Sequence, residues 1–140
     1  MIYLLDTNVL SELQKGSRCN ERVAAWFSSV ADDELFLSVL VIGEIRRGIE
    51  RLRSRDQARS AMLDGWLNSV ETRYRSRILP VDRLIADDWG RLSLTRSLPV
   101  VDALMVATAR VYDLVFVTRN VKHATGLGVS TLNPFEPDKP

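Results

Sequence analysis

Short, continuous apolar runs alternating with stretches of helical periodicity set the tightest limit on the fold of this chain. Ile2-Tyr3-Leu4-Leu5, Leu35-Phe36-Leu37-Ser38, Ile78-Leu79-Pro80-Val81 and Leu114-Val115-Phe116-Val117 each read as a strand, and Val129-Ser130-Thr131-Leu132 adds a last one. Strands without polar alternation must be covered on both faces. The segments between them carry apolar residues at helical spacing. Asn8 to Gln14 reads as a short helix ended near Gly16, and Asn20 caps a helix over 21–30 with Val23, Trp26, Phe27 and Val30 on its stripe. A helix over 39–53 presents Ile42, Ile45, Ile49 and Leu52, and one over 56–75 presents Ala58, Met62, Trp66 and Val70. A further helix over 83–96 carries Leu84, Trp89 and Leu92, and Pro99 opens one that runs to about Tyr112. This order predicts an α/β fold: a central sheet of short parallel strands flanked by helices on both faces.

A chain of 140 residues forms one domain, expected over 1–135, with 136–140 as a frayed, proline-containing tail. Cys19 is the only cysteine, which excludes an intrachain disulfide and a cysteine-based zinc cluster. No run approaches the ~20 apolar residues of a membrane span, and no signal-peptide pattern opens the chain, so no membrane partner is expected and the expected location is cytoplasmic. The formal net charge of +1 does not announce a nucleic-acid binder. Arginines are nevertheless clustered: Arg46, Arg47, Arg51, Arg53, Arg55 and Arg59 in one segment, Arg73, Arg75 and Arg77 in another. Guanidinium groups suit phosphate because their planar fork binds two oxygens at once. A solvated, salt-bridged helix face explains the same pattern.

Acidic residues in apolar surroundings are more informative. Asp6 closes the first strand and precedes Thr7-Asn8; Glu44 interrupts Val39-Leu40-Val41-Ile42-Gly43; Asp102 follows Leu98-Pro99-Val100-Val101. Carboxylates leaving water without a partner cost free energy, so a shared compensating cation such as Mg²⁺ or Mn²⁺ is expected. Each residue alone has a structural reading. Asp6 can cap a helix, as can Thr7 or Asn8. Glu44 can be an exposed helix residue, and Asp102 can favour the positive end of its helix. Ligands of parallel sheets bind outside the carboxyl ends of the strands, where Asp6, Thr118, Arg119 and Asn120 all fall. Ser38 and Thr118 end strands and can orient a carboxylate or merely satisfy the backbone. His123 is the only histidine and reads as a loop residue. Phosphate-loop, dinucleotide-turn and nucleophile-elbow motifs are missing from the sequence. An aspartyl-phosphate phosphatase would need a second Asp where Asn8 stands.

Asp6-Thr7-Asn8, Glu44 within Ser38 to Gly48, Leu98-Pro99-Val100-Val101-Asp102-Ala103-Leu104 and Val117-Thr118-Arg119-Asn120 occur in this order. The ordered set closely resembles the PIN-domain ribonucleases, specifically VapC-type toxins of bacterial toxin–antitoxin pairs, over essentially the whole chain. The resemblance implies a PIN-like fold and a Mg²⁺- or Mn²⁺-dependent endoribonuclease. Asp6, Glu44 and Asp102 match the family's acidic metal-binding set, and Asn120 falls where many members carry a fourth acid. It further implies an RNA substrate, a cognate antitoxin covering the acidic site, and a homodimer. Thr7, Asn8, Ser38 and Thr118 stand beside the acids, and Arg46 and Arg47 are expected toward the RNA backbone. His123 is placed close by as an outer polar group. The competing class is a catalytically silent PIN-like module that binds RNA or protein.

Overall fold

The computed structural model describes residues 1–137, so 138–140 of the expected frayed tail lie outside the described residues. Five parallel strands form its sheet: β1 Tyr3–Leu5, β2 Leu35–Ser38, β3 Ile78–Leu79, β4 Val115–Val117 and β5 Thr131–Leu132, in the order β3-β2-β1-β4-β5. The strands are shorter than the apolar runs that seed them. Pro80 stops β3, because proline cannot donate to a ladder. Only the last two residues of the 129–132 run pair, with Phe116 and Val117.

Six helices connect them: α1 Thr7–Leu13, α2 Glu21–Ser29, α3 Val39–Arg53, α4 Gln57–Arg73, α5 Arg83–Thr95 and α6 Val100–Val111. The path steps from β1 to β2 to β3 in one direction and then returns across the sheet to β4. Right-handed crossovers therefore put α1–α4 on one face and α5–α6 on the other. The packing agrees: α3 lies against α4, α1 against α2 and α3, and α5 against α6. Leu4, Leu5, Leu35, Leu37 and Val117 are at or near full burial between these layers, with Val41, Met105 and Val106 from the helices.

Local signals account for the helix starts. Asn20 Oδ1 accepts from the backbone N–H groups of Arg22 and Val23, Ser38 Oγ accepts from that of Leu40, and Asp82 Oδ1 from that of Ile85. Pro99 sits one residue before α6 rather than at its first position, and its carbonyl accepts from Ala103 N–H at 2.9 Å. Two predicted helix stripes are rotated. In α4 the buried residues are Ser60, Leu67 and Val70, whereas Ala58 and Met62 face solvent. The sequence stripe followed strict i+4 steps, which drift around a 3.6-residue helix. In α5 Ile85 is buried and Leu84 is half-exposed. Trp26, Trp66 and Trp89 pack against the core as expected, each partly buried. Among the described residues, no single helix is long and apolar enough to cross a membrane.

Candidate active site

The strand order reverses at β1, which has β2 on one edge and β4 on the other. Such a switch point leaves a crevice at the carboxyl ends of the two strands. Asp6 is the first residue beyond β1, and its backbone N–H donates to Val117 O at 2.9 Å, stitching it to the end of β4. It is 8% exposed. Asp6 itself caps α1, accepting at Oδ1 from Thr7 N–H at 2.8 Å, so neither Thr7 nor Asn8 takes that role. Its other oxygen, Oδ2, accepts from the Thr118 hydroxyl at 2.7 Å and from Asn8 Nδ2 at 3.4 Å.

Thr118 and Thr7 tie the neighbouring groups to this carboxylate. Thr118 is fully buried, and its Oγ1 also accepts from Asn120 N–H at 3.0 Å, fixing the backbone after β4. The Thr7 hydroxyl donates to Glu44 Oε1 at 2.6 Å and so links α1 to α3. One residue therefore contacts Asp6 through its amide and Glu44 through its side chain. Asn8 Oδ1 accepts from Arg119 N–H at 3.2 Å. Asp102, in the first turn of α6, stands 3.3 Å from His123 Nδ1 through its Oδ2. That places the chain's single histidine against one of the predicted acids, a contact no local pattern signals.

Burial pushes the Asp6 carboxyl above its ordinary range. The Thr118 hydroxyl and the Thr7 amide oppose that rise, and the negative charges of Glu44 and Asp102 push it further up. Asp6 thus feels the negative charge of both other predicted acids. Among the described residues, neither Asp6 nor Glu44 forms an ion pair with a basic side chain, and Asp102 pairs only with His123.

The donor set is all oxygen, which fits a hard divalent cation. Among the described residues, no three acidic, imidazole or thiol groups are already drawn into a ligand cage. Mg²⁺ does not require one: it keeps several waters and is commonly held by one or two carboxylates plus substrate phosphate. A divalent ion held there would offset the burial of the Asp6 charge and its repulsion by Glu44 and Asp102.

Other predicted residues are placed differently. Ser38 is buried and spends its hydroxyl on capping α3. Asn120 is exposed at the end of the crevice, held through its backbone. Arg46 is engaged by Asp64 at 2.6 Å and Glu50 at 3.5 Å, and Arg47 is exposed on α3. Arg53 shares the same Asp64, and Arg73 and Arg77 grip Asp32. Much of the arginine clustering is thus internal ion pairing.

These features define a class, and comparison with known proteins agrees. A family model described as PIN domain matches residues 3–125, and the chain belongs to that family. It is 28% identical over 137 residues to Toxin FitB of Neisseria gonorrhoeae, an alignment covering 94% of this chain and 97% of that one. It is 27% identical over 139 residues to VapC ribonuclease Y4jK of Sinorhizobium fredii, covering 96% and 98%. The crystal structure of FitAcB from Neisseria gonorrhoeae superposes with a TM-score of 0.87 at 30% identity, covering 98% of this chain and all of that chain.

Proposed function

We propose that this chain is an endoribonuclease acting as the toxin of a toxin–antitoxin pair, hydrolysing RNA phosphodiester bonds with Mg²⁺ or Mn²⁺. The carrying observation is the buried Asp6 carboxylate at the sheet's switch point, raised by burial and by Glu44 and Asp102 without a basic partner. The names of its toxin and ribonuclease relatives support the same reading.

Asp6, Asp102 and Glu44 would hold the divalent ion, which supplies Lewis acidity at the scissile phosphate when bound. The chain's own residues do the positioning. Thr118 and Thr7 fix the two Asp6 oxygens, so the carboxylate is oriented before substrate arrives. Thr7 also holds Glu44 in the same crevice. Asn120 offers a side-chain amide to a phosphate oxygen or a water. His123 lies beside Asp102, its Nδ1 3.3 Å from Oδ2.

A partner antitoxin would silence the site by placing a basic side chain against these carboxylates, giving them the counter-charge they lack. The chain would pair with a second copy through apolar side chains that α3 and α4 leave exposed, Val39 and Met62 among them.

Cleavage of a total-RNA pool by the purified protein in Mg²⁺, Mn²⁺ or EDTA tests the reading. Discrete cuts that need metal and vanish in Asp6→Asn and Asp102→Asn are expected. Equal cleavage by the variants, or no cleavage in any metal, would point instead to a silent PIN-like module. Such a module should also show no stoichiometric Mn²⁺ binding sensitive to Asp6→Asn.

A further inference from the structure

A second surface opens beside the acidic crevice, built from the loop after β4 and the segment after β5. It forms an open groove of about 490 Å³ lined by Arg119, Asn120, Lys122, His123, Phe135 and Glu136, among others. Pockets of this size accept a ligand as large as a nucleotide. Its inner end adjoins the acids, because His123 approaches Asp102 and Asn120 N–H donates to the Thr118 hydroxyl that holds Asp6.

One contact gives this surface its chemistry. The Arg119 guanidinium lies over the Phe135 ring, 4.6 Å from the centroid. Both members of the stack are fixed from behind. Asn133 donates from Nδ2 to Arg119 O at 3.4 Å and accepts at Oδ1 from Phe135 N–H at 3.0 Å. Arg119 N–H is held by Asn8. The rest of the loop is clamped by Arg96, whose guanidinium donates to the carbonyls of Thr125 at 2.8 Å and Lys122, and by Arg110, which donates to Leu127 O at 2.9 Å. Arg119 is exposed and makes no ion pair among the described residues, in contrast to Arg46, Arg53, Arg73 and Arg77.

An aromatic ring backing a guanidinium plane is the platform on which an unstacked nucleobase rests in single-strand recognition. The edge of the same guanidinium and the neighbouring Lys122 ammonium can meet the adjoining phosphates. We propose that the Arg119–Phe135 pair is the stacking platform for a nucleotide of single-stranded RNA next to the cleaved bond, with Lys122 holding its phosphate. Arg119 and Phe135 are then substrate-positioning residues, and the RNA-contacting surface lies on this wall rather than on the ion-paired arginines of α3 and α4. The inference rests on the ribonuclease reading above and names the substrate contact of that site.

The test uses the full chain and a fluorescein-labelled single-stranded RNA carrying 2-aminopurine, with affinity measured in EDTA and cleavage in Mn²⁺. Phe135→Leu and Arg119→Lys are each expected to weaken binding about tenfold and to abolish quenching of 2-aminopurine, since both keep bulk or charge but remove a stacking plane. Phe135→Trp should retain quenching. Lys122→Gln should instead lower the salt dependence of binding, by about 0.7 in log–log slope for one lost single-strand contact. Arg119 is exposed, so Arg119→Lys carries the test even if Phe135→Leu fails to fold. Metal-dependent cleavage with wild-type affinity and quenching in both stacking variants would overturn the platform while leaving the nuclease intact. Absence of RNA binding and cleavage by the wild type would overturn both. Variants that lose only an antitoxin partner's grip, with RNA binding unchanged, would assign the wall to a protein and overturn the proposal.

Discussion

Replacing Thr118 with valine removes one hydroxyl from a fully buried position while keeping the volume nearly constant. That hydroxyl donates to Asp6 Oδ2 at 2.7 Å and accepts from Asn120 N–H at 3.0 Å. A buried hydrogen bond to a charged group contributes about 1.5–3 kcal/mol, so Thr118→Val should cost about 2 kcal/mol at neutral pH. For a chain of this length that corresponds to a fall of about 8 °C in Tm. The pH dependence identifies the cause. The folded Asp6 carboxyl is already raised by burial, and losing the opposing Thr118 bond raises it further. A raised acid carries its penalty when ionised, so the penalty is full above the folded pKa and is relieved as pH falls through it. The deficit of Thr118→Val relative to wild type should therefore be largest at neutral pH and shrink in mildly acidic buffer. Paired thermal melts of both proteins in EDTA across that range measure it. A deficit independent of pH, or none at neutral pH, would show that Thr118 is not supporting an ionised Asp6.

Further outcomes follow from the same structure. Leu37 is fully buried in the central sheet, and Leu37→Ala should cost about 2–5 kcal/mol, read as a lowered denaturant midpoint with an unchanged m-value. Asp64 is held down to about 2 by Arg53 and Arg46, so its contribution is present above the ordinary Asp range and is lost as pH falls toward 2; Asp64→Asn should flatten that part of the acid-unfolding curve. Glu44→Gln removes one of the like charges facing Asp6 and should bring the Asp6 carboxyl down, a change that carbon-detected NMR titration of the metal-free protein would register; no downward movement would mean the two groups are not coupled. Arg96→Ala removes the clamp on the Lys122 and Thr125 carbonyls and should raise amide exchange in the loop after β4 without changing that of α3.

The strand and helix order was legible in the sequence because burial on both faces demands continuous apolar strands, and amphipathic helices must repeat near 3.6 residues. The cap at Asn20 and the helix over 39–53 follow from local chemistry alone, as does the identity of Asp6, Glu44 and Asp102 as acids in apolar settings. Helix rotation was less legible. Met62 and Leu84 are apolar residues on the solvent side, and only packing against the neighbouring layer chooses which flank of a stripe is buried. The charge pattern left two readings open for a related reason: the sequence counts arginines, but Asp64 and Asp32, distant along the chain, decide which of them are already paired. Asp102 meeting His123, Thr7 joining Asp6 to Glu44, and Arg119 lying over Phe135 join residues 16 to 37 positions apart, or groups on separate elements, and no local pattern encodes them. The sequence by itself determined which acids stand in apolar settings and where along the strands and helices they fall. The tertiary structure alone decided that the reversal of strand order at β1 brings those ends together, because hydrogen bonds and charge act through space and not along the chain.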